Sequence, residues 1–132
     1  MLRRTGAVLA GFLAFEAVVL LCLFAARTGW PAYAEAEPTR AYDLLMLLVR
    51  LTAGSLAAVA GGAVAARADR GSRSAALAFG TVLLVLSVVW HIRIWDQYPV
   101  WYHLGWWACI VPFAVLGGHR VGQQMKIAEG GL

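Results

Sequence analysis

Four long apolar runs constrain this chain more than any other feature: Gly6–Ala26, about Leu44–Ala66, about Ala75–Ile94 and about Val100–Gly118. Each holds about 19–23 residues and, at a rise of about 1.5 Å per residue, spans roughly the 30 Å hydrocarbon core of a bilayer. A backbone in lipid must satisfy its own polar groups, so only helices and closed barrels cross. None of the runs alternates polar and apolar residues as a barrel strand does. The reading is therefore an all-α polytopic membrane protein, with residues 1–132 forming a single domain of four transmembrane helices. Composition agrees: 14% of residues are charged, against roughly 25% in a soluble domain.

The basic residues set the expected orientation. Arg3 and Arg4 precede the first run, Arg67, Arg70 and Arg73 lie around the connection between the second and third, and Arg120 and Lys126 follow the fourth. These are seven of the eleven Lys and Arg. The opposite side mixes Arg27, Arg40 and Arg93 with Glu35, Glu37, Asp43 and Asp96. By the positive-inside rule both termini are cytoplasmic. The net charge of +4 then follows from topology, and no basic face remains for nucleic acid. The first run has 21 residues, too long for the roughly 7–15 of a signal-peptide core, so it reads as a first membrane helix. Cys22 and Cys109 fall in helices at different depths and are not expected to pair.

Packing is legible in the small residues. Gly54, Ala58 and Gly62 recur every fourth position of the second run, with Gly61 beside them. Such spacing lets helix backbones approach closely, so this helix is expected to be central. Gly117 and Gly118 end the fourth run as Gly61 and Gly62 end the second, 56 residues earlier, and Tyr98 answers Tyr42 at the same offset. The pattern fits two tandem helical hairpins in a parallel repeat. Pro112 is expected to bend the fourth helix.

Polar residues within the runs are the functional candidates. Glu16 lies at the centre of the first, where an ionised group costs roughly 2.5–3.5 kcal/mol on insertion scales. Arg50 lies outward of the centre of the second and has the reach to pair with Glu16 or to snorkel to the headgroups. Thr52 and Ser55 lie near the depth of Glu16 and would bond its protonated form. A structural tie, a proton- or ion-coupling carboxylate and a contact with a partner's helix are the three readings of Glu16.

The stretch WHIRIWDQYPVWYHLGWW, residues 90–107, is the aromatic concentration of the chain. Trp90, Trp95, Tyr98, Trp101 and Tyr102, joined by Trp30, Tyr33 and Tyr42, are expected to form an interfacial belt, with apolar rings in lipid and polar tips in water. Trp106 and Trp107 lie deeper and the belt does not account for them. His91 and His103 face the same outer boundary, near Asp96. Two histidines and one carboxylate make a weak metal set, and a bis-histidine haem would sit poorly at helix ends, so no metal or cofactor is assigned. The outer segment 27–43 shows no strong helical periodicity and is expected to lie along the surface.

PVWYHL (99–104), VPFAVLGGHR (111–120) and the GG…AAR end of the second run resemble the C-terminal hairpin of a diffuse group of small bacterial four-helix inner-membrane proteins. The resemblance covers about the last 55 residues. It implies a fold and a bacterial inner membrane, and it implies no activity. No phosphate loop, nucleophile elbow or HExxH signature is present. The expectation is a non-catalytic accessory or assembly subunit that contacts lipids and other membrane polypeptides or copies of itself. The alternatives are a small homo-oligomeric transporter using Glu16 and Arg50 and, more distantly, a redox protein using His91 and His103.

Overall fold

The structure, a computed structural model, describes residues 2–130. The described residues contain helices and no strand. In chain order the helices are α1 (Leu2–Gly29), α2 (Pro31–Ala36), α3 (Leu44–Ala68), α4 (Arg73–Arg93), a 3-10 turn (Trp95–Gln97) and α5 (Val100–Gly130). Of these, α1, α3, α4 and α5 are long and apolar enough to cross a membrane. The chain is a multi-pass helical membrane protein.

Local chemistry sets the boundaries. Pro31 opens α2 at a first-turn position, where its fixed φ and missing N–H do no harm. The Asp43 carboxylate caps α3 by accepting from the Met46 N–H at 2.8 Å. At the far end of α3, Arg70 and Gly71 turn the chain with φ of 54° and 76°, and the Gly71 N–H closes back on the Ala66 carbonyl at 2.8 Å. The short helix α2 is a departure from the irregular outer segment expected. A second departure is the length of α5, which runs well past the apolar run. Its extension packs under the α3–α4 turn, with Val121 buried and Met125 against Gly71.

The central helix is α3, which packs against α1, α4 and α5. Its buried face is almost entirely glycine and alanine, including Gly54, Ala57, Ala58, Gly61, Gly62 and Ala65. Gly62 lies against the Ala114 carbonyl of α5, and Gly117 of α5 lies against the Val59 carbonyl. Gly118 sits on Ala76 of α4. On the other side, a Cβ at Gly11 of α1 would come within 2.8 Å of the Gly61 carbonyl. Phe12 and Phe15 of α1 pack on Phe79 of α4, which fills the space these glycines leave.

The two ends of the bundle differ. At one, Arg3 bonds Asp69 at 2.6 Å and Arg4 donates to Ser74 at 2.7 Å, tying the start of α1 to the α3–α4 turn. The other end carries α2, the 3-10 turn and the aromatic side chains. Tyr42 and Tyr98, the pair separated by 56 residues, stack there with ring centres 6.2 Å apart.

Gly62→Ala is expected to lower stability by about 1–3 kcal/mol, because the added methyl meets backbone that cannot swing away. Gly6→Ala has open space within 4 Å and should leave the unfolding midpoint in detergent unchanged or slightly raised. Equal midpoints for the two variants would refute the close-contact account.

Candidate functional site

Arg50 projects from α3 into the aromatic end. Its guanidinium donates to the Tyr33 hydroxyl at 2.7 Å and to the Tyr42 hydroxyl at 3.4 Å, and lies 4.8 Å from the centre of the Tyr42 ring. Tyr102 lines the same cavity as Arg50. No carboxylate among the described residues forms an ion pair with it. Its charge is therefore dispersed over phenol oxygens and a ring face rather than neutralised. The Arg50 Nε–H is buried without a partner.

This corrects the expected Glu16–Arg50 tie. Glu16 faces outward from α1, and none of its partners is Arg50, Thr52 or Ser55. Thr52 instead donates to the Leu48 carbonyl of its own helix at 2.9 Å. Ser55 lines a small crevice beside Trp106 and Cys109. The physical reason is azimuth: residues at one depth on two helices need not lie on facing sides. Tyr33 and Tyr102 are a second correction, since they are 0% and 3% exposed and belong to the interior rather than to an interfacial belt. Trp90, Trp95 and Trp101 do present exposed surface, while Trp30 and Tyr98 are half-buried.

His91 and His103 form a buried pair. Their Nδ1 atoms are 2.8 Å apart, and the His103 Nε2 is 3.2 Å from the Trp95 carbonyl. Hydrogen-bond accounting assigns the protons. The carbonyl only accepts, so the His103 Nε2 carries a proton and, in the neutral ring, its Nδ1 is bare. The His91 Nδ1–H then donates to it, and His91 keeps a bare Nε2. Asp96, which the sequence puts near the pair, is exposed, and it is the Trp95 backbone carbonyl that bonds His103. Among the described residues no three His, Cys, Asp or Glu side chains are grouped to hold a metal ion. The indole of Trp95 stacks on His103 at 4.6 Å and Trp107 stacks on Trp95 at 6.1 Å. Trp106 lies over Gly54, where a side chain would collide with its ring. The two deep tryptophans are thus walls of the site.

Two cavities meet here. The first, about 400 Å³, is bounded by Tyr42, Arg50, Tyr98 and Tyr102, with Glu37 and Arg40 at its edge. The second, about 420 Å³, lies between α1 and α4 among Phe12, Phe15, Glu16, Leu83, Leu86 and Ser87. Trp90, His91 and Trp106 border both. Tyr33, the residue on which Arg50 rests, lies in a segment whose pattern carried no helical signal. Tyr42, eight residues before Arg50 and so about two helical turns away, was the legible partner. Comparison with family models, curated proteins and solved structures finds no match.

Burial pushes the Tyr42 phenol up to about 12, with Arg50 pulling the other way and Tyr33 and Tyr98 adding to the rise. Its proton is thus held more tightly in the folded state than at the ordinary value of about 10. The stability this contributes is complete below about pH 10 and is lost as pH rises toward about 12. The unfolding midpoint should fall across that window, and Tyr42→Phe should flatten part of the fall; an unchanged pH profile would count against the buried phenol.

His103→Phe preserves a ring against Trp95 but strands the His91 Nδ1–H. A loss of about 1–3 kcal/mol is expected from one buried unsatisfied donor. Nitrogen NMR of the native protein should show His103 protonated at Nε2 and His91 at Nδ1; the reverse tautomers would overturn the assignment.

Proposed function

We propose that this chain is a non-catalytic integral membrane protein that works as an accessory or assembly subunit, with α1 as its contact face. The observation that carries this reading is Glu16. It lies halfway along α1 within an outward stripe of Leu9, Leu13, Leu20 and Phe24, all at least 60% exposed. A carboxylate in a lipid-facing stripe is costly, and such groups are normally held against protein or water. A neighbouring helix supplying a hydrogen-bond donor at that depth would satisfy Glu16 and cover the leucines together. The partner is another membrane polypeptide or a second copy of this chain.

The placement belongs to the same proposal. Both termini lie in the cytoplasm of a bacterium, with the arginine-bearing end inward and the aromatic end outward in the inner membrane. The bias of Arg and Lys toward one end supports the orientation, and the resemblance of the C-terminal hairpin supports the membrane. A transport reading stands second, because Glu16 and Arg50 line adjoining cavities that share His91.

Native extraction in mild detergent, followed by particle mass and identification of co-purifying chains, tests the proposal. A particle heavier than one chain is expected. Glu16→Leu should reduce it to the single chain, whereas Glu16→Gln, which keeps hydrogen-bonding capacity, should preserve it. A wild-type particle of one chain would refute the subunit reading. Transport lost in Glu16→Gln, with the particle intact, would favour the second.

A further inference from the structure

The cavity around Arg50 has the electrostatics of an anion site, and the cavity beside it has the lining of a hydrocarbon site. We propose that together they bind a single-chain anionic amphiphile, its phosphate or carboxylate headgroup at Arg50 and its tail in the groove between α1 and α4.

The headgroup half rests on a donor count. Arg50 has five N–H donors; its hydrogen bonds to Tyr33 and Tyr42 both leave from Nη1, and its Nε–H has no partner. At least two donors remain, on a cation with no carboxylate partner among the described residues. Arg40 adds a second positive charge at the edge of the cavity. The one carboxylate there, Glu37, is paired with Arg27 at 3.3 Å. A fork of N–H groups beside hydroxyls, in a cavity walled by aromatic rings, matches the oxygens of an oxyacid anion.

The tail half rests on adjacency and charge. The second cavity shares Trp90, His91 and Trp106 with the first and is otherwise mostly apolar, with Phe12, Phe15, Leu83 and Leu86. Both volumes fall in the roughly 300–1,000 Å³ range of small-molecule sites. Leu86 and Glu16 are exposed at the mouth of the groove. Arg40 and Arg50 attract an anion to the aromatic end and the groove offers it no cation, so the molecule is oriented head toward Arg50. A neutral amphiphile gains nothing from this arrangement, and a free anion gains nothing from the groove.

The test uses the full chain in nanodiscs of zwitterionic phospholipid. Bound probe is counted by native mass spectrometry and binding is followed by tryptophan fluorescence. The probes are dodecyl phosphate, laurate, inorganic phosphate and dodecanol. Saturable binding of one dodecyl phosphate or laurate is expected, with inorganic phosphate and dodecanol much weaker. Arg50→Gln should weaken dodecyl phosphate about tenfold to a hundredfold, the range for losing charged hydrogen bonds. Arg50→Lys keeps the charge but loses the fork and should weaken it about tenfold, which preserves the test if the glutamine variant does not fold. Leu86→Trp, which fills the groove, should weaken dodecyl phosphate and leave inorganic phosphate unchanged. Dodecanol binding as tightly as dodecyl phosphate, or Arg50→Lys binding like wild type, overturns the proposal. Inorganic phosphate binding as tightly as dodecyl phosphate overturns the tail half and leaves a site for a free anion.

Discussion

Everything at the aromatic end depends on how closely α3 approaches its neighbours. The contacts of Gly62 with the Ala114 carbonyl and of Gly117 with the Val59 carbonyl bring α3 and α5 together backbone to backbone. Apolar burial drives little association in lipid, so such packing must come from shape. Once the lower halves of the helices are locked at that distance, the upper halves must accommodate large rings. Gly54 provides the one gap in α3 that seats the Trp106 indole. Trp106, His91 and Tyr102 then lie together, with ring centres 5.6–6.3 Å apart. Small residues below and aromatic residues above are two parts of one arrangement.

The polar groups divide in a similar way. Thr28, Thr52 and Thr81 each donate to a carbonyl four residues back in their own helix, at 2.9 Å, so their hydroxyls ask nothing of other helices. Arg50, His91 and His103 instead bond across elements, and Glu16 faces outward. The groups that cannot be satisfied within a single helix are therefore those that line the cavities or the outer face of α1. Their chemistry differs: a dispersed cation, a locked imidazole pair whose His91 Nε2 stands outside its two bonds, and a carboxylate facing outward.

Much of this was readable before any coordinates. Length and hydropathy specify four spans, because a bilayer sets a minimum run of apolar residues. Four-residue spacing of small residues marks α3 as central, because that spacing places them on one face. What was not readable is rotation about each helix axis. Depth along the sequence made Glu16 and Arg50 candidates for pairing, while azimuth turned Glu16 outward and Arg50 toward tyrosines. Tyr33 reads as a surface anchor and is instead buried against Arg50, because α2 is six residues long, too short for periodicity to show which way it faces. His91 and His103 fall at neighbouring helix ends in the sequence, but their direct bond depends on a 3-10 turn that brings the Trp95 carbonyl to His103.

The salt links at the arginine-bearing end have a mechanical consequence. Arg3 and Arg4 bind the beginning of α1 to Asp69 and Ser74, while Met125 braces the same turn from α5. That end is cross-linked among all four long helices and resists splaying. At the opposite end, α1 and α4 are held apart by a cavity rather than drawn together by a bond. The bundle is thus built like a clothes peg, with its spring at the charged foot and its jaws among the rings. The rim where Leu23 of α1 faces Trp90 of α4 across the cavity thus lies toward the end of α1 furthest from the links that fix its start.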